Sequence, residues 1–212
     1  TENFENNDIN YSEVYDDIFY DGIKNNYEIE IINKYKKINK NSIILDIGSG
    51  TGHHVNEFSK LSKNVLGVDI SHDFLNQSKK NYPTCKFIKK NILKSLEFDQ
   101  NYFSHINCLF FTIYYINNKK SFLENCYYWL KPNGILILHV VDPLLFNPSL
   151  IDNIESNKTT IRNKNYTYKS DFIIDKESVN KYIFNKPNAI LKEKIMFKDN
   201  NTILNNHELY MI

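Results

Sequence analysis

The chain is 212 residues long, carries a formal net charge of +1, and is 42% apolar and 24% charged. That is enough for one globular domain with its own core and not comfortably enough for two; the near-neutral balance excludes a general polyanion binder, which needs a clear excess of clustered cations. Asn, Ile and Lys number 32, 28 and 25 against one Arg and one Ala, a skew that marks an AT-rich coding sequence rather than a disordered tract, because the Asn residues are scattered and large apolar residues abound.

Residues 1–17 are acidic and polar without an apolar signal-like stretch, and the longest hydrophobic run, Ile135 to Val141, is broken by His139 and too short to span a bilayer. Cys85, Cys108 and Cys126 are odd in number and form no C-x-x-C, so neither a disulfide framework nor a zinc ribbon is expected. The adjacent His53 and His54 point in different directions, so no metal site is expected there. These features predict a soluble, cytoplasmic protein that avoids membranes.

Helices are predicted at Tyr27–Ile38, His53–Leu61, Asp73–Asn81 and Ser121–Leu130. Between them, β-branched apolar runs at Ile43–Ile47, Val65–Val68, Cys85–Ile88, Ile106–Phe111 and Ile135–Val140 read as buried strands. Strand-helix alternation of this kind implies a parallel α/β sheet. Lys131-Pro132-Asn133-Gly134 reads as a turn between the last helix and strand. From about Thr159 the pattern alternates without a helical period, which fits antiparallel strands, with Asp199-Asn200-Asn201 as a hairpin tip.

Ile43 to His54 is a strand running into a glycine-rich turn that opens a helix. Three of the six glycines in the chain, Gly48, Gly50 and Gly52, lie there; such a turn lets backbone approach a ligand and offers the free amides of a helix start. A dinucleotide fingerprint is the competing reading, but its third glycine would come one position later, where the bulky His53 stands. Asp69 ends the next strand, placed to accept from both hydroxyls of a ribose.

Leu45-Asp46-Ile47-Gly48-Ser49-Gly50-Thr51-Gly52 followed by Gly67-Val68-Asp69-Ile70-Ser71 resembles the first two motifs of class I S-adenosylmethionine-dependent methyltransferases, and the resemblance covers about residues 11 to 140. It implies a Rossmann-like fold with a mostly parallel seven-stranded sheet flanked by helices, antiparallel C-terminal strands and extra β structure between about residues 159 and 185. It also implies S-adenosylmethionine as cofactor, with S-adenosylhomocysteine as product. A single domain over 1–212 is expected, with a helical lid region (1–40), a cofactor core (41–142) and an acceptor-side region (143–212), where the acceptor is chosen or a homodimer forms.

By this resemblance Asp69 and Ile70 meet the ribose, the loop Gly48, Ser49, Gly50, Thr51 and Gly52 lies against the methionine part, and Asp46 supports the loop or the amino group. Asn91-Ile92 stands where the family has an Asp and an apolar residue near the adenine; an Asn oxygen can still accept from the adenine amine. The stretch Phe103 to Ile116 is similar in layout to the branch containing glycine N-methyltransferase and the amino-sugar N,N-dimethyltransferases, which makes Leu109 and Phe110 neighbours of the sulfonium. Tyr11 and Tyr15 resemble the tyrosines of that branch's lid helix. Candidate proton acceptors are His139 at the end of strand five, Tyr115, and His207 in the last strand; Asp142 is a further acidic candidate. The expected acceptor is a small molecule, an amine or amino sugar, and not a nucleic acid. A protein or nucleic-acid methyltransferase, a partner subunit that binds the cofactor without turnover, and a nicotinamide oxidoreductase are the competing readings.

Overall fold

The computed structural model describes residues 10–142, 158–162, 165–181 and 186–211. They fall into two compact units: residues 12–113 and 118–139 form one, and residues 10, 11, 114–117 and the described part of 140–211 form the other.

The first unit is built on a five-stranded parallel sheet in the order β3-β2-β1-β4-β5, made by β1 (Ile43–Ile47), β2 (Asn64–Asp69), β3 (Phe87–Lys89), β4 (Phe103–Cys108) and β5 (Leu130–Leu138). The helices are α1 (Tyr11–Phe19, entered from the other unit), α2 (Gly22–Tyr35), α3 (His53–Leu61), α4 (His72–Asn81) and α5 (Lys119–Trp129). Each of the last four helices buries one stripe at helical spacing: Ile29 and Ile32, Val55 and Phe58, Leu75 and Ser78, Phe122, Cys126 and Trp129. Side chains also define where helices start. Asp21 accepts from the amides of Ile23 and Lys24, and Ser71 accepts from Phe74, satisfying donors that a helix start leaves open. Ile44 and Leu45 on the central strand are fully buried, and Ile44 joins Phe58, Val65, Leu75 and Phe87 in one apolar cluster. Strand order reverses between β1 and β4, so their carboxyl ends open the crevice where α/β sheets hold ligands.

The second unit is a four-stranded antiparallel sheet, β6 (Lys158–Arg162), β7 (Tyr166–Ile174), β8 (Ala189–Phe197) and β9 (Thr202–Leu209), ordered as in the chain. Tyr166, Tyr168, Ser170 and Phe172 bury alternate positions of β7; Ala189, Glu193 and Ile195 do so on β8. The hairpin tip falls as expected, with Asn200 in the left-handed region at φ 70° and the Phe197 amide donating to the Asn201 carbonyl at 2.9 Å.

Three expectations are corrected. The sheet has five strands rather than seven, and the C-terminal strands form a sheet of their own: β8 is paired along both edges, by β7 and by β9, so these strands satisfy their ladders among themselves. The described residues of the C-terminal third include a short helix, α6 (Lys176–Asn180). Lys131 to Gly134 lies within β5 as an irregularity, not before it: Phe103 pairs with Leu130 and His105 with Ile135, and Asn133 takes φ 64° to absorb the extra residues. Within the expected acceptor-side region, residues 143–157, 163–164, 182–185 and 212 lie outside the described residues.

Candidate functional site

At the carboxyl end of β1 the chain turns sharply. The amides of Gly48 and Ser49 both donate to the Val68 carbonyl, at 2.8 and 3.0 Å, tying the loop to β2. Gly48 has φ 70°, and a Cβ there would lie 2.4 Å from the Thr112 methyl, so both backbone conformation and space demand glycine. Gly50, at φ 51°, differs: a Cβ on it would meet nothing within 4 Å. The loop therefore presents bare backbone to open space at its tip. Gly52 caps α3, and the Ser49 hydroxyl is buried without a hydrogen-bond partner.

Asp69 faces this tip. Its Oδ2 accepts from the Gly50 amide at 3.0 Å and its Oδ1 from the Ser71 amide at 2.9 Å, which fixes the carboxylate while leaving a lone pair on each oxygen for two further donors. Burial raises its pKa, and these amide bonds oppose the rise. Ile70 beside it is 63% exposed, an apolar face with no cover. A fixed carboxylate with two acceptor positions, next to uncovered backbone and an exposed isoleucine, fits a nucleoside ribose. Asn91 is exposed, with Oδ1 accepting from the Leu93 amide at 3.0 Å, and the Ile92 carbonyl accepts from Asn125.

Asp46, 3% exposed at the end of β1, has its pKa raised to about 6, first by burial and then by the charges of Asp69 and Glu28, against the opposing effect of His54. Leu109 is buried. Phe110 and Phe111 follow it at φ 46° and 63°, two consecutive non-glycine residues in the left-handed region, a strained turn at the end of β4. Phe110 meets Tyr15 and Phe19 of α1 edge-on at 6.4 and 6.3 Å, and Tyr15 meets Phe74 at 5.0 Å.

Two carboxylates that the sequence did not single out organise this unit. Asp16 of α1 accepts from the Thr51 hydroxyl at 2.6 Å and pairs with His53 Nε2 at 2.9 Å; Tyr20 stacks on His53 at 3.8 Å, and the Tyr82 hydroxyl meets its Nδ1 at 2.6 Å. His53 thus fastens α1 to the start of α3. Glu28 of α2 meets His54 Nε2 and Lys24 Nζ, each at 2.8 Å, and lies 3.5 Å from His139 Nδ1. Burial pushes its pKa up, but the hydrogen bonds and charges of His54 and Lys24 outweigh that and hold it at about 2. His139 packs on Phe111 at 4.3 Å, and burial lowers its pKa.

The structure therefore brings together Asp46, Gly48, Ser49, Gly50, Thr51, Asp69 and Ile70 at one end of the parallel sheet, with Tyr15, Leu109, Phe110 and His139 in the same unit. Tyr11, Tyr115 and His207 belong to the antiparallel unit. There the Tyr11 hydroxyl donates to Glu193 at 2.9 Å, His207 Nε2 meets Glu193 at 2.8 Å, and the Tyr115 ring stands edge-on to His207 at 5.5 Å. Asp16, Glu28 and Glu193 were missed. Only Glu193 had a signal, since it alternates in phase with Leu191 and Ile195.

Residues 44–134 match the methyltransferase domain family. A phosphoethanolamine N-methyltransferase of Plasmodium falciparum (isolate 3D7) is 32% identical over 108 residues, 48% of this chain and 40% of that protein, so the match spans well under two thirds of the relative. Among solved structures, an S-adenosylmethionine-dependent methyltransferase from Clostridium acetobutylicum ATCC 824 shares the fold with a TM-score of 0.71 at 16% identity, over 95% of this chain and 80% of that one. CalS10, an amino pentose methyltransferase from Micromonospora echinaspora seen with S-adenosylmethionine bound, does so with a TM-score of 0.66 at 15% identity, over 99% and 86%. Among the described residues no helix is long and apolar enough to cross a membrane. The sheet order, the glycine loop held to Val68 and the amide-fixed Asp69 agree with these likenesses: residues 44–134 match a methyltransferase domain, and the chain shares the fold of S-adenosylmethionine-dependent methyltransferases.

Proposed function

We propose that the chain transfers a methyl group from S-adenosylmethionine to the nitrogen of a small amine, an amino sugar or amino alcohol. The observation that carries the cofactor half is the carboxylate of Asp69, fixed by two backbone amides beside the open face of Gly50. When bound, the cofactor supplies an activated methyl group on a positively charged sulfur, and the transfer is an in-line displacement needing neither metal nor enzyme nucleophile. Asp69 and Ile70 hold the ribose, Asn91 and Ile92 the adenine, and Asp46 with the loop Gly48 to Gly52 the methionine end. Leu109 and Phe110, with Tyr15 of the lid helix, exclude water from the reacting end.

The amine reading is supported by the chemistry named for two similar proteins, one acting on phosphoethanolamine nitrogen and one on an amino pentose. An amine reaches the enzyme as an ammonium ion and must lose one proton before its lone pair can attack. His139, Tyr115 and His207 are the candidate acceptors of that proton. His139 is suited in that burial favours its neutral form.

Calorimetric titration with S-adenosylmethionine tests the cofactor half, and absence of heat together with absence of a thermal shift would remove it. Cofactor consumption assayed against amines, amino sugars and small alcohols tests the acceptor. Turnover with alcohols alone, or radiolabel entering only protein or nucleic acid, would replace the amine reading. The matched stretch spans 40% of the phosphoethanolamine N-methyltransferase's length.

A further inference from the structure

Glu193 lies in the middle of β8, and only 1% of its side chain is exposed. Oε1 accepts from the Tyr168 hydroxyl at 2.7 Å; Oε2 accepts from the Tyr11 hydroxyl at 2.9 Å and meets His207 Nε2 at 2.8 Å. Burial pushes its pKa up, but the hydrogen bonds from His207, Tyr168 and Tyr11 and the His207 charge outweigh it and hold Glu193 below the ordinary range, so it is ionised. An ionised carboxylate only accepts, so the proton between the two side chains belongs to His207 Nε2. In the neutral ring Nδ1 then carries the free lone pair. His207 is 26% exposed at its side chain, and Nδ1 has no hydrogen-bond partner among the described residues.

The neighbours of that ring suit a cation. The other two partners of Glu193 are uncharged hydroxyls, so His207 is its one ionisable partner among the described residues. The Tyr115 and Tyr11 rings stand 5.5 and 6.5 Å from the imidazole, and aromatic faces attract ammonium ions. Directly across from Glu193, the paired Asn205 on β9 is 8% exposed, and its amide Nδ2 has no partner among the described residues. A buried donor left open in this way is a costly feature unless an acceptor atom arrives.

We propose that Glu193, His207 and Asn205, with the rings of Tyr11 and Tyr115, form a binding site of the antiparallel unit for an ammonium ion carrying a neighbouring hydroxyl, and that His207 Nδ1 takes the ammonium proton. This rests on the amine reading above. The proton leaves R-NH3+ for Nδ1, producing R-NH2 with its lone pair free and an imidazolium paired with Glu193, and it later passes to solvent. Glu193 is a positioning residue: through the 2.8 Å contact with Nε2 it fixes the tautomer that leaves Nδ1 as the acceptor.

The test uses the whole chain with nitrogen-15-labelled histidine, first without cofactor. The His207 resonances should report the Nε2-H tautomer, and ethanolamine should shift Nδ1 in a saturable way. Ethylene glycol should give no shift, and ethylamine a response about tenfold weaker, the equivalent of one lost hydrogen bond to the hydroxyl. Glu193→Gln should lose the single tautomer and weaken the ethanolamine response at least about tenfold. It should lower kcat/KM for the amine while calorimetric affinity for S-adenosylmethionine stays within about twofold. Circular dichroism establishes that the variant is folded; the wild-type measurements stand without it. An Nδ1-H tautomer, or no ethanolamine response in a wild-type chain that binds S-adenosylmethionine, overturns the proposal. Equal responses to ethanolamine and ethylamine overturn the role given to the hydroxyl and Asn205. Failure of the wild-type chain to bind S-adenosylmethionine instead counts against the methyltransferase reading.

Discussion

Each unit buries a glutamate against a histidine, and the company it keeps differs. Glu28 in the parallel unit is shared by the Lys24 cation, His54 and, more distantly, His139; its charge is matched on the spot, and the arrangement holds α2 against the start of α3. Glu193 in the antiparallel unit meets two hydroxyls and one imidazole, none of them permanently charged. Matched charge makes the first carboxylate part of the architecture. A carboxylate held only by hydroxyls and an imidazole is the arrangement on which the proposed ammonium site rests.

The sharpest attack on the parallel unit is Gly48→Ala. The left-handed backbone and the collision with Thr112 together should cost about 2–5 kcal/mol, read as a fall in the thermal midpoint with loss of cofactor binding. In the antiparallel unit the comparable blow is Glu193→Ala. It takes the Glu193 acceptor away from the Tyr168 and Tyr11 hydroxyls and from His207, and should cost about 3 kcal/mol in urea denaturation, well above the cost of Glu193→Gln, which keeps an acceptor.

The pH dependence separates the two kinds of carboxylate further. Glu28 has a folded pKa of about 2 against an ordinary 4.5, so the unfolded chain binds its proton first. Its contribution, up to about 3 kcal/mol, is complete above pH 4.5 and disappears as pH falls toward 2. Asp46 has the opposite sign: at about 6 against 3.8, the folded state holds its proton longer, so stability falls as pH rises from about 4 to 6. Asp46→Asn should therefore raise the thermal midpoint at pH 7, by the equivalent of up to about 3 kcal/mol, while weakening cofactor affinity. A midpoint that does not rise would show that Asp46 is solvated better than its burial implies.

Asp69→Asn keeps the shape but loses the charge and one acceptor, so either the Gly50 or the Ser71 amide faces an NH2 donor; it should weaken S-adenosylmethionine about ten- to a hundredfold in calorimetry and cost about 1 kcal/mol of stability. The smallest effect belongs to the hairpin: Asn200→Gly relieves a left-handed asparagine and should change stability by no more than about 0.5 kcal/mol.

What could be read from the sequence was what is local. The glycine loop, Asp69 and the boundaries of α3 follow from contiguous residues whose backbone needs are specific, and His53-Leu61 is the helix observed. Pairing between distant strands was harder. Whether β8 and β9 joined β5 or one another depends on competition among edges, which no single segment encodes. Asp16 and Glu28 lie on helices where an acidic residue reads as solvated, and only the fold puts histidines against them. Glu193 sits between two lysines in Lys192-Glu193-Lys194 and reads as part of a charged face; the period-2 pattern alone places it with the buried residues.

The order β3-β2-β1-β4-β5 also sets a timetable. β1, the central strand, pairs on one side with β2 about twenty residues later, and on the other with β4, Ile44 lying against His105. During synthesis at roughly 5–20 residues per second, that second edge stays open for roughly 3–12 seconds. Ile44 and Leu45 are among the most apolar positions of the sheet, so this interval is when the nascent chain is most exposed to wrong partners. The antiparallel unit pairs each of its strands with the next in the chain and has no such wait.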